Sequence, residues 1–262
     1  MTITPSLLVF LLVFVRCLGV VSAAPLFGNS QVPAMFKIGL GFYLALIVDS
    51  ASTMSQLAGR HVAFTPAWFI TSLVMESLTG IAIGLIAGFI FAAVQFAGGM
   101  LDLQIGYSIA SVVNPGFGAP TGLIANFWYT LFALFFLNIG GQYSILLAVL
   151  QSYRYVPIGA AVFGGSVADV FLRALVTLFI LGVQLAAPIT MAVFLSNVAL
   201  AIASRAVPQM NVFVVGLPVT LLVGIVLLGF LMPEMVSAMR GLVNIMNQQL
   251  GSVLAAMGGA PL

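Results

Sequence analysis

The chain has 262 residues, of which 63% are hydrophobic and only 5% charged, with a formal net charge of +2. Mean hydropathy is +1.27, and a soluble domain carries about 25% charged residues, so lipid is expected to cover much of this surface. One cysteine (Cys17) and one histidine (His61) exclude an intrachain disulfide, a CxxC knuckle and a multi-histidine zinc site. The basic residues are scattered singly, which leaves no footprint for nucleic acid.

Apolar segments run over Ser6–Ala24, Met35–Val48, Trp68–Gly98, Leu123–Leu150, Val167–Ala203 and Val212–Met232, followed by an amphipathic piece at Pro233–Met257. Ser6–Ala24 has no Lys or Arg ahead of it and is interrupted by Arg16, so it is expected to remain as a helix rather than act as a cleaved signal. A span needs about 20 helical residues. Trp68–Gly98 and Val167–Ala203 exceed that, so they must tilt, kink (Pro188 is placed for this) or extend beyond lipid within an assembly. The expected architecture is one polytopic all-α membrane domain over residues 1–262, with long hydrophobic helices arranged as hairpins.

Within the third segment, Gly80, Gly84 and Gly88 recur every four residues, a spacing that lets another backbone approach closely. Glu76 lies one such step earlier, and Gln95 and Asp102 follow Gly88 at seven-residue steps. The polar residues are therefore expected on the glycine face, away from lipid. Two readings stand side by side: a packed seam beside a pathway, or a tight helix contact with a structural glutamate. A carboxylate at membrane depth faces a bundle interior or a wet cavity in either case.

Between the third and fourth segments, "GYSIASVVNPGFGAPTG" (residues 106–122) has no charge, and helix cannot continue through its glycines and prolines. It is read either as a tight turn at the membrane surface or as a re-entrant, plug-like loop lining a cavity, where irregular backbone survives at membrane depth. "ASRAVPQMNVFVVGLPVT" (residues 203–220) places Arg205 beside a proline-bounded break. The alternatives there are a short connector with a snorkelling arginine or a functional element. No Ser–His–Asp set, phosphate-binding GxxxxGK or HExxH is present, so neither catalysis nor a cofactor is expected.

Five stretches in order resemble the FliR/SctT family, the T-type subunits of the type III secretion export gate. These are "VPAMFKIGLG" (32–41), "GIAIGL" (80–85), "QFAGGMLDLQIGYSIASVVNPGFG" (95–118), "YVPIGA" (155–160) and "PQMNVFVVGLPVTLLVGI" (208–225). The last is the most specific; with Arg205 ahead of it, Pro208, Gln209, Asn211, Phe213 and Pro218 carry the match. The resemblance implies a gate subunit assembled with FliP and FliQ, with FlhB nearby, through which unfolded flagellar proteins cross the bacterial inner membrane at the basal body. It also implies that Gly106, Tyr107, Ser108, Asn114, Pro115, Gly116, Phe117, Gly118 and Pro120 belong to a channel plug loop, with Phe117 near its seal. Two departures remove ionisable groups: Asn114 stands where the family often has Asp, and Gln142 where it often has His. The virulence-type homologue and a proton-coupled carrier using Glu76 or Asp102 are the competing readings.

Overall fold

The computed structural model describes residues 5–29, 32–48, 65–106, 122–206 and 212–259. Among these, eight helices and no strands are present. They are α1 (Pro5–Ala23), α2 (Ala34–Val48), α3 (Pro66–Gln104), α4 (Leu123–Asn138), α5 (Gly141–Tyr155), α6 (Gly165–Ala206), α7 (Val212–Phe230) and α8 (Met232–Met257). Two of them, α3 and α6, are long and apolar enough to cross a membrane. Two further spans result if α4 with α5, and Val214–Phe230 with α8, each count as one. The protein is an all-α membrane protein.

Local chemistry places the helix ends. Pro66 opens α3, where a missing N–H costs nothing, and the Trp68 N–H donates to Thr65 Oγ1 (3.3 Å) as a side-chain cap. At the other end of α3, Gly106 adopts φ +84°, a conformation that favours glycine, and its N–H donates to the Leu103 carbonyl (3.2 Å). The run Leu123–Leu150, read from the sequence as one apolar segment, is two helices. Gly140 at φ +75° turns the chain between them. A hydropathy profile misses this break because Ile139 and Gly140 are themselves uncharged.

The chain divides into two compact units, and the division falls within α3, α6 and α8. The first comprises Met1–Phe89, Gly140–Leu175 and Asn244–Leu262. Here α1 and α2 pack as a hairpin through Phe42, whose ring meets Phe10 (5.5 Å) and Phe14 (6.2 Å) edge-on. The second comprises Ile90–Ile139 and Val176–Val243. Its core is aromatic: Phe91 meets Phe132 (4.7 Å), Phe136 (5.1 Å) and Tyr129 (5.7 Å), beside fully buried Trp128. In the same unit α6 approaches α3 at Gly182, where a Cβ would stand 2.5 Å from the Phe96 ring.

Candidate functional site

The buried charges among the described residues are the two acids of α3, Glu76 and Asp102, and Arg16 of α1. Glu76, in the first unit, is fully buried together with Arg16 of α1. Arg16 Nε donates to Glu76 Oε2 (2.5 Å) and Nη2 to Oε1 (2.9 Å), a two-pronged pair. Nη1 donates to Ser152 Oγ (2.9 Å) and to the Val156 carbonyl (3.1 Å), and Nη2 also reaches that carbonyl (3.1 Å). A guanidinium has five N–H donors; all are used. The Tyr153 ring lies 4.1 Å from the guanidinium carbon and adds a cation–π contact. Glu76 Oε1 accepts a further hydrogen bond from the Gly159 N–H (3.0 Å), in the turn after α5 where Gly159 has φ +70°. One ion pair therefore joins α1, α3 and the end of α5.

The glycine stripe lies directly beside this pair, in the first unit. A Cβ at Gly80 would run into the Arg16 carbonyl, and one at Gly84 would stand 2.7 Å from Ala23 Cβ. From the opposite side, a Cβ at Gly19 would stand 2.9 Å from the Ser77 carbonyl. Gly88 has looser surroundings, its nearest neighbour being the Ala23 carbonyl at 3.8 Å. The partner of the stripe is thus α1, close enough that backbone touches backbone.

Asp102, in the second unit, is 2% exposed and has a different environment. Its Oδ1 accepts the Ile124 N–H and its Oδ2 the Ala125 N–H, both at 3.0 Å. These are free donors in the first turn of α4, where the helix dipole favours an anion. Gly122 precedes that turn, and a Cβ there would occupy the position of Asp102 Oδ2. Four residues earlier on α3, a Cβ at Gly98 would stand 2.5 Å from Ala125 Cα. The side chain of Asp102 therefore joins the last turn of α3 to the first turn of α4.

The other sequence-derived residues are distributed unevenly. Gln95 is exposed, contrary to its expected place on the buried face. Repeating a residue every seven positions keeps it near one face of a straight helix, but burial depends on what covers that face. The contact with α1 covers Gly80 and Gly84, and α4 covers Gly98 and Asp102. Gln95 falls between them. Of the plug-loop residues, Gly106 is described; Tyr107, Ser108, Asn114, Pro115, Gly116, Phe117, Gly118 and Pro120 lie outside the described residues, as do Pro208, Gln209 and Asn211. Arg205 ends α6 and is exposed, Phe213 is in the first turn of α7, and Pro218 is exposed inside α7. Near Pro218, the Thr220 hydroxyl donates to the Ile105 carbonyl (3.4 Å).

Sequence reasoning missed Arg16, treating it only as an interruption of the first apolar run. A signal was present. Arg16 is the lone charge in the first apolar segment, and Glu76 the lone acid between Asp49 and Asp102. Isolated ionisable groups at membrane depth pair with one another. Among the described residues no cluster of three or more His, Cys, Asp or Glu could hold a metal ion.

This architecture defines a class: an all-α membrane protein in which the buried charges Arg16, Glu76 and Asp102 tie helices together. Residues 7–246 match the family described as bacterial export proteins, family 1, and the chain belongs to that family. It is 35% identical over 252 residues to the flagellar biosynthetic protein FliR of Bacillus subtilis (strain 168), covering 95% of each chain. It is 30% identical over 218 residues to the FliR of Escherichia coli (strain K12), covering 83% of this chain and 82% of that one. The Yop proteins translocation protein T of Yersinia pestis is 33% identical over 180 residues, covering 66% of this chain and 67% of that one. The chain is a membrane component of the type III export machinery.

Proposed function

We propose that the chain is a core subunit of the flagellar export gate, forming part of the channel by which unfolded flagellar proteins cross the inner membrane. The observation that carries this reading is the similarity to a flagellar biosynthetic protein over 95% of both chains. The gate assembles with FliP and FliQ, with FlhB nearby, and sits at the flagellar basal body. Residues 106–122 act as a plug: Gly106, Gly116 and Gly118 give the backbone freedom, and Phe117 helps exclude water and ions. A passing chain displaces the plug, which recloses behind it. No phosphate-binding motif is present in the sequence, so the driving energy enters elsewhere in the apparatus.

The geometry weighs against a proton-coupled carrier. Both candidate carriers of a proton are engaged within the chain: Glu76 holds a guanidinium, and Asp102 holds the start of α4. The virulence-type reading stands as a second one because of the similarity to the Yersinia translocation protein; fold and gating would be shared and the cargo would differ.

The test is to tag the chain, extract it from its native membrane in mild detergent and identify the co-migrating proteins. FliP and FliQ in one particle are expected. A solitary monomer that transports a small solute would overturn the reading. Flagellar or injectisome partners in the particle decide between the two branches.

A further inference from the structure

In the first unit, α1, α2 and α5 surround a partly open cavity of about 180 Å³. Its walls include Val20 of α1, Leu40 and Leu44 of α2, and Leu146 and Val149 of α5. An apolar cavity on this scale stays dry and takes an apolar guest. One end of it is different. Phe27, in the turn after α1, belongs to the lining, and the carbonyl of the next residue, Gly28, accepts a hydrogen bond from Lys37 Nζ (3.0 Å). Lys37 precedes Leu40 and Leu44 by three and seven residues, so the three share one face of α2. Arg16 meets Ser152 and Val156 at the far end of α5, so α5 runs antiparallel to α1 and its first turn lies beside the end of α1. That turn brings Gln142 and exposed Tyr143 to the lining. Gln142 Oε1 is buried without a hydrogen-bond partner.

We infer that this cavity holds one acyl chain of a membrane phospholipid whose anionic headgroup is received by Lys37. The chemistry changes along the cavity as it does along such a lipid: a cation at the rim, a polar acceptor beside it, aliphatic walls further in. The lysine stem lies along apolar surface while its ammonium stays at the rim. One of its three N–H donors goes to Gly28, and no ion pair among the described residues neutralises it. Basic pockets between membrane helices receive anionic headgroups by this means. A headgroup hydroxyl supplies the donor that Gln142 Oε1 lacks. Phosphatidylglycerol, anionic and carrying hydroxyls, therefore fits better than phosphatidylcholine, whose choline is cationic and has no donor. Tyr143 stands where an aromatic side chain marks headgroup depth.

The experiment uses the assembled particle, extracted from its native membrane in mild detergent, and phosphatidylglycerol with a diazirine in one acyl chain. After illumination the labelled residues are mapped by mass spectrometry. Label is expected on Leu44 and Leu146, displaced by unlabelled phosphatidylglycerol and not by inorganic phosphate. Lys37→Gln should raise the lipid concentration for half-labelling about tenfold, the scale of a lost hydrogen bond to a charged group. Lys37→Arg should stay close to the parent. Leu40→Phe, which fills the cavity, should abolish label there while labelling elsewhere on the particle is unchanged.

Absence of label in the parent, or label in the cavity that survives Leu40→Phe, overturns the inference. Equal labelling by the phosphatidylcholine analogue, displacement by inorganic phosphate or indifference to Lys37→Gln overturns the headgroup assignment. A photoreactive phenylalanine analogue in place of Tyr143 that captures a polypeptide instead of lipid gives the cavity to a partner chain and overturns it as well. The contrast between Lys37→Gln and Lys37→Arg decides the matter even where Leu40→Phe fails to assemble.

Discussion

Glu76 and Asp102 lie on one continuous helix and are buried to almost the same degree, yet they are held in different ways. Glu76 faces a full positive charge, and its partner Arg16 is itself satisfied at every donor by α3 and the end of α5. Asp102 meets two amide dipoles at the start of α4. The difference teaches what each site tolerates. In the first, removing either partner strands a charge in an apolar interior. In the second, removing the acid leaves two polar amides that water or a neighbouring residue can satisfy. The first is a staple for tertiary structure; the second is a local cap that ties the last turn of α3 to the first turn of α4.

The largest effect expected is therefore from Glu76→Ala, which leaves the guanidinium buried and unpaired at a cost of about 3–5 kcal/mol. It should be read as a sharp drop in the amount of folded protein recovered from the membrane. Replacing the pair together, Arg16→Leu with Glu76→Leu, should restore most of that amount, because a buried ion pair exchanged for apolar side chains is often neutral. A double variant as poor as Glu76→Ala would mean that the charges are needed for something other than holding helices together, and the comparison with Asp102 would have to be redrawn.

Next in size is Gly80→Val, where added bulk meets the Arg16 carbonyl. Overpacking of this kind costs about 1–3 kcal/mol, and it should appear as a lowered melting midpoint of the purified protein in detergent. Gly88→Ala, with its nearest neighbour 3.8 Å from the new Cβ, should leave that midpoint close to the parent value. Equal effects at the two positions would show that the glycines act through helix propensity rather than through contact with α1.

A smaller effect is expected from Asp102→Ala. Loss of a helix cap costs about 0.5–2 kcal/mol, and hydrogen exchange should quicken at the Ile124 and Ala125 amides while the rest of α4 stays protected. Acceleration throughout α4 would contradict the local character of this site. Smallest of all is Gln95→Ala. An exposed position away from such features shifts stability by about ±0.5 kcal/mol, so the melting midpoint of the isolated chain should not move. If the same change strips partner subunits from the detergent particle, Gln95 belongs to an intersubunit surface and its exposure in the single chain is explained.

The two long helices extend the contrast to whole elements. Within its most apolar window α3 is 61% buried by its own chain, whereas α6 is 28% buried. Hydropathy is the same for both, 2.2, so composition does not distinguish a helix wrapped by its own protein from one that leaves its apolar face uncovered. This is why the sequence reading identified both helices and left open how each is covered. It is also why Gln95, placed by spacing on the buried face, is exposed.

Much was legible in the residues alone. A chain with 5% charge and long apolar runs cannot hide from lipid, and glycines and prolines end helices wherever they cluster, so membrane class, helical content and most helix positions followed from local chemistry. Of the glycines at four-residue spacing, Gly80 and Gly84 stand against the α1 backbone, while Gly88 has looser surroundings. What the sequence alone did not decide was the identity of the partners: isolated charges such as Arg16 and Glu76 mark groups that need a partner, but a contact across 60 or 136 residues is not written in either one's neighbours. That α1 is the helix against Gly80, that Arg16 answers Glu76, and that Asp102 reaches across to α4 are properties of how helices meet. In a chain with so few charges, each buried ion accepts whichever compensating group the packing brings within hydrogen-bonding distance.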